Sequence, residues 1–138
     1  MDNLLGMAAG SIKKNNSFSM LNLHYPMVDT RDIGRSAAVC LGSNDPKHFS
    51  KNYEISGPEN LTCHQLAQIF TKVLGREIKY NELSFEDFKK HAPPYIIDIM
   101  SYMHENGEHA VPFTQDVKDI TGKHTTFEQF VIDHKSSF

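Results

Sequence analysis

Three groups of residues in this 138-residue chain have types that could do chemistry. The first is His104-Glu105-Asn106-Gly107-Glu108-His109, a cluster of metal-ligand types. Helix-borne zinc pairs place two histidines four residues apart, so that both imidazoles leave one face of the helix. Here the residue four after His104 is Glu108, the inverted pattern would need His at Glu105, and Gly107 breaks the helix that would aim both ligands. The cluster reads as a solvated helix end. The second is Cys63-His64. Neighbours on a helix point about 100° apart, so they do not make a direct nucleophile–base pair. The third is the set of tyrosines. A lysine four residues after a tyrosine lowers the phenol's pKa and lets it exchange a proton. The residues four after Tyr25, Tyr53, Tyr80, Tyr95 and Tyr102 are Asp29, Gly57, Ser84, Ile99 and Asn106. None is lysine.

Phosphate cradling is missing as well. A dinucleotide site needs glycines between a strand and a helix start, so that backbone N–H groups and the helix dipole approach the pyrophosphate. Gly6 and Gly10 lie inside a helical stretch with no strand before them, and small-residue helix packing explains them better. Arg31 and Asp32 are read as a salt bridge or a ligand contact at a pocket edge.

Bulk properties narrow the field further. A net charge of -3 with scattered basic residues excludes a nucleic-acid-binding face, which needs a concentrated stripe of Lys and Arg. The densest basic cluster is only Lys89, Lys90 and His91. No apolar run approaches the ~20 residues that span a bilayer. The first residues show no basic leader with an apolar stretch and cleavage site, so a cytoplasmic location is expected. Cys40 and Cys63 both fall in helical segments and are expected to be reduced core residues.

The elements that would position these groups are punctuated by caps and turns. Leu4 to Ile12 reads as a helix with Leu4, Leu5, Ala8 and Ile12 on one side, and 17–28 as one or two short extended pieces. A helix from Asp29 or Thr30 to Leu41 is expected to carry Ile33, Ala37, Cys40 and Leu41 inward. Consecutive turn formers from Gly42 to Pro46 close it. Asn52 to Ser56 is a candidate strand stopped by Gly57-Pro58. Leu61 to Leu74 is the clearest helix, with a Thr62/Gln65 capping box, a Leu66, Ile69, Phe70, Val73, Leu74 stripe, and Gly75 as left-handed C-cap. A half-buried strand follows around Ile78 and Tyr80. Short helices then follow Ser84 and Pro93-Pro94, span Thr114 to Thr121, and start at Thr125 or Thr126. The last buries Phe127, Phe130 and Val131. Taken alone, this is a helix-rich α/β domain with a few short strands.

The order of these pieces resembles a known family. Tyr25-Pro26-Met27-Val28-Asp29-Thr30-Arg31-Asp32-Ile33-Gly34 is similar to a strand-to-helix step of extended and atypical short-chain dehydrogenases. Tyr53 to Thr62 resembles their strand-turn-helix, followed by Val73-Leu74-Gly75-Arg76. Asp116 to Gly122 and then Thr126-Phe127-Glu128-Gln129-Phe130-Val131 resemble the NmrA-like branch, whose likeness covers nearly the whole chain. Met1-Asp2-Asn3-Leu4-Leu5 is similar to a segment that in relatives lies against the nicotinamide.

The resemblance implies that residues 1–138 are the carboxy-terminal part of an NAD(P)-binding Rossmann-type fold. They would comprise the end of the nucleotide-binding sheet plus a small helical substrate or partner lobe, with the amino-terminal βαβ units missing. It implies NADP or NAD as cofactor, with Asn3 either a cofactor contact or merely a helix cap, and no catalytic or metal residues. By itself the chain is expected to bind the dinucleotide weakly or not at all. The implied role is the substrate- or partner-facing portion of a redox-sensing regulator without turnover. Alternatives are part of a quinone or carbonyl reductase, or a truncated non-catalytic product. Partners would be a small-molecule substrate or a regulatory protein, with self-association through an exposed sheet side.

Overall fold

A computed structural model describes residues 1–138, apart from the side chain of Glu108. The chain opens with α1 (Asn3–Met7) and α2 (Ala9–Asn15), one bent run through Ala8. The backbone ladder continues across the bend, with Ala8 N donating to Leu4 O and Ile12 N to Ala8 O, both at 2.9 Å. Leu4, Ala8 and Ile12 are buried and Leu5 is half-buried, as their shared helical side requires. Asn16, at φ 52°, ψ 34°, closes α2 in the left-handed region that Asn tolerates. Gly6 and Gly10 face open space, with nothing within 4 Å of a Cβ built at either. Helix packing therefore does not account for them, contrary to the sequence reading.

Two short strands follow, β1 (Ser17–Met20) and β2 (His24–Tyr25). Asp29 then caps α3 (Thr30–Gly42), its side chain accepting from Arg31 N. The inward face of this helix differs from the expected one. Asp32 and Ser36 are buried, while Ile33 is 43% and Leu41 88% exposed, Ala37 is exposed and Cys40 only half-buried. Each buried position lies one residue before an expected one, which turns the helix by about 100°. The cause is the Asp32 carboxylate, which accepts from Thr125 N at 2.6 Å and from Thr125 Oγ1 at 3.2 Å and pairs with Arg35. A hydrogen-bonded carboxylate outcompetes the apolar stripe for the inward position.

After a 3₁₀ turn at Pro46–His48, residues 51–60 form no helix or ladder, so the candidate strand Asn52–Ser56 is absent. Its polar groups go elsewhere: Glu54 N donates to Asp116 Oδ2 (2.8 Å), Thr114 Oγ1 to Glu54 O, and Ser56 Oγ to Thr114 O (3.2 Å). Gly57 N donates to Pro26 O, and a Cβ on Gly57 would lie 1.9 Å from Met27 O. Only glycine allows that approach.

β3 (Leu61–Thr62) leads into α4 (Cys63–Leu74), where the Thr62/Gln65 capping box forms and Gly75 adopts φ 72°. β4 (Lys79–Glu82) pairs in parallel with β1, Ser17 opposite Lys79 and Met20 opposite Glu82. β2 pairs antiparallel with β3, and among the described residues the strands form these two two-stranded sheets. The rest is helical: α5 (Phe85–His91) capped by Ser84, α6 (Pro94–Asn106), a 3₁₀ turn at Gly107–His109, α7 (Asp116–Thr121), α8 (Phe127–Asp133) capped by Thr126, and a last 3₁₀ turn at Lys135–Ser137.

The main core lies where α1, α2, α4 and α8 meet β1. Phe70 is its centre, edge-on to Phe18 (5.7 Å between ring centroids), Phe127 (5.3 Å) and Phe138 (4.9 Å). A second cluster gathers Leu21, Leu23, Met103 and Ala110 under α5 and α6. The molecule is thus a helix-rich α/β fold with a few short strands.

Candidate cofactor-facing site

Asn3 is the first residue of α1 and is exposed. It is not the helix cap, because that position is Asp2, whose side chain is used elsewhere. Asp2 Oδ2 accepts from Thr30 N at 3.1 Å, tying the start of α1 to the start of α3. The Met1 nitrogen also donates to Val28 O at 2.6 Å. Burial works against the Asp2 carboxylate, but the hydrogen bonds from Thr30 outweigh it and hold its pKa below the usual value.

Charged groups beside the junction are locked in pairs. Asp29, fully buried, accepts from Arg31 N (2.8 Å), Nε (2.9 Å) and Nη2 (2.7 Å). These bonds hold the Asp29 carboxyl below its ordinary pKa against the cost of burial. Arg31 Nη1 reaches Asp133 at 2.7 Å, so one guanidinium bridges the start of α3 and the end of α8. Arg31 and Asp32, adjacent in sequence, therefore belong to two separate networks and do not pair with each other. At neutral pH Asp2, Asp29 and Asp133 are ionised, which leaves them without a proton to donate.

The tyrosines and the buried cysteine are held in the opposite state. Tyr25 Oη donates to Leu21 O (3.1 Å), Tyr80 Oη to Met20 O (3.0 Å), and Cys63 Sγ to Leu21 O (3.2 Å). All three converge on the backbone just after β1. Burial pushes both phenols and the thiol up from their ordinary pKa values, so all three stay protonated. His64, exposed on the neighbouring face of α4, meets Tyr80 edge-on at 5.0 Å and not Cys63. A shallow cleft of 650 Å³ opens there between α4 and β4, lined by His64, Gln68, Lys72, Lys79, Tyr80 and Asn81 among others. It is separate from the junction that carries Asn3.

His104, the first residue of the metal-like cluster, stacks on Phe85 at 5.2 Å with an 11° interplanar angle. Among the described residues no three of His, Cys, Asp or Glu gather as metal ligands, and none of the glycines forms a turn between a strand and a helix start. The Asn3 amide, exposed at the junction, has no hydrogen-bond partner among the described residues.

Sequence reasoning missed two features. The buried Asp32–Thr125 link joins residues 93 positions apart, and nothing local announces it. A Cys40–His48–Tyr53 group also forms near the end of α3, and Cys40 is half-buried there, not a core residue.

Comparison with known proteins places this arrangement. The chain is similar to the NAD(P)H azoreductase of Xenophilus azovorans, 26% identical over 148 residues, covering 100% of this chain and 51% of the relative. Its fold matches an NADPH-dependent quinone oxidoreductase from Escherichia coli with a TM-score of 0.76 at 21% identity, covering 98% of this chain and 51% of that one. A triphenylmethane reductase from Citrobacter sp., solved with NADP(H), matches at 0.74 and 18% identity, covering 99% and 50%. The chain thus spans about half the length of these proteins. The family profile of the NmrA-like proteins matches residues 8–131, nearly the full chain, and the protein belongs to the NmrA-like family.

Proposed function

We propose that this chain is the substrate- or partner-facing portion of an NAD(P)-binding protein that senses redox state and does not turn its cofactor over. The observation that carries this reading is that the carboxylates at the junction, and the phenols and thiol at the end of β1, are all tied up in hydrogen bonds and ion pairs. Carboxylates are held ionised in ion pairs, and phenols and a thiol are held protonated by burial. A hydride-transferring reductase needs a group positioned to give or take a proton at the nicotinamide, and the carboxylates beside Asn3, Asp2 and Asp29, are committed to Thr30 and Arg31. Asn3 is assigned to the nicotinamide end of the cofactor, where its amide can donate and accept. The phosphates require a turn from outside residues 1–138. We further propose that it acts in the cytoplasm. No helix among the described residues is long and apolar enough to cross a membrane.

A second reading, part of an NADPH-dependent quinone or carbonyl reductase, is favoured by the activities for which the related proteins are named. The two separate in a polypeptide joining these residues to a glycine-turn nucleotide-binding domain. Sensing predicts stoichiometric NADPH binding with no oxidation on adding a quinone, and Asn3→Ala weakens that binding severalfold. Steady NADPH consumption would overturn the sensor reading in favour of the reductase.

A further inference from the structure

α3 ends at Gly42, and the 3₁₀ turn Pro46–His48, capped by Asp45, folds back beside its last turn. This brings His48 Nδ1 to 3.7 Å from Cys40 Sγ and to 2.7 Å from Tyr53 Oη. All three residues are half-buried, neither sealed in the core nor fully in solvent. Tyr53 also borders a recess of 180 Å³ lined by Lys47, Lys51, Asp116, Asp119 and Ile120. Lys51 Nζ lies 5.1 Å from the Tyr53 ring centroid. Both contacts meet the same ring nitrogen, the phenol at the shorter distance, and in the tautomer that leaves Nδ1 unprotonated the thiol and the phenol compete to donate to it. Cys63 is the contrast within the same chain. It is fully buried, and its S–H is spent on the Leu21 carbonyl.

We propose that Cys40 is a nucleophilic thiol, served by His48 as its base, that adds to α,β-unsaturated carbonyl compounds entering beside Tyr53. Sulfur is the soft nucleophile suited to such a carbon, and an adjacent imidazole activates it by accepting its proton. In the addition, Cys40 Sγ bonds to the β-carbon while its proton moves to His48 Nδ1. The C=C electron pair shifts to the carbonyl as an enolate. His48 then returns the proton to the α-carbon. The thiol has added across the double bond, nothing leaves, and no oxidant or reductant is consumed. Tyr53 acts as a brake in this scheme, because its hydroxyl occupies the nitrogen that the thiol needs.

N-ethylmaleimide, itself an α,β-unsaturated dicarbonyl, is the probe, with adducts on the native chain located by mass spectrometry at neutral pH. Cys40 is expected to label first, with Cys63 spared until the chain is denatured. His48→Gln should slow Cys40 labelling roughly tenfold, a modest share of what a positioned base supplies, and Tyr53→Phe should speed it severalfold. Equal Cys40 rates in the parent and in a natively folded His48→Gln chain would overturn the assignment. Should His48→Gln fail to fold, Tyr53→Phe decides: faster labelling supports the scheme, and an unchanged rate overturns it.

Discussion

Asp29 and Asp32, three residues apart, are both buried carboxylates, yet they are satisfied by different means. Asp29 is surrounded by Arg31, whereas Asp32 caps the Thr125 backbone and pairs with Arg35. Removing Asp32 leaves Thr125 N without its acceptor and Arg35 without its counter-charge. Asp32→Ala is therefore expected to cost about 3 kcal/mol, read as a lower denaturant midpoint. Asp29 adds a pH dependence. Its folded pKa lies below the unfolded one, so the stability it contributes is present above the ordinary carboxylate range, near pH ~4. That stability is lost as pH falls through the folded value. Asp29→Asn should flatten this acid limb in a stability-versus-pH series, and an unchanged limb would show that other carboxylates carry it. At Gly57, an added methyl meets the Met27 backbone, which cannot swing away as a side chain would. Gly57→Ala should destabilise by more than about 2 kcal/mol, measured in the same way.

Elements whose signals are local were legible in the sequence. The Thr62/Gln65 box, the Gly75 left-handed cap and the helix start after Ser84 all form, and of Thr125 and Thr126 it is Thr126 that caps the last helix. Each depends on residues within one helical turn. Thr62→Ala removes an acceptor from Gln65 N and should cost about 1 kcal/mol, seen as a fall in melting temperature. The face of α3 was not legible, because partners 90 or more positions away decide it. Asn52 to Ser56, stopped by Gly57-Pro58, read as a strand, but a strand also needs a neighbour, and here the backbone bonds to Thr114 and Asp116 instead. Asn3 follows from the resemblance of the first residues, while the Asp2–Thr30 junction beside it is tertiary and left no mark in the sequence.

For the molecule as a whole, the turned α3 has a cost. Ile33 and Leu41 on α3 and Met7 on α1 are exposed, while Leu4 is buried in the core. Apolar side chains in water favour association. The isolated chain is expected to sediment as a concentration-dependent mixture and to melt broadly. Leu41→Glu should shift it towards monomer. A sharp melt from a monodisperse monomer at every concentration would count against this.

The parallel pairing of β1 with β4 also dictates an order of events in time. Ser17 and Lys79 meet across 62 positions of intervening chain, and closing so long a loop is entropically slow compared with winding a helix. Refolding should therefore show early far-ultraviolet ellipticity from α4, with amide protection in β1 arriving afterwards. Until that late step, the edges of both strands stand open to any neighbouring chain, and dilution during refolding should raise the yield of native protein.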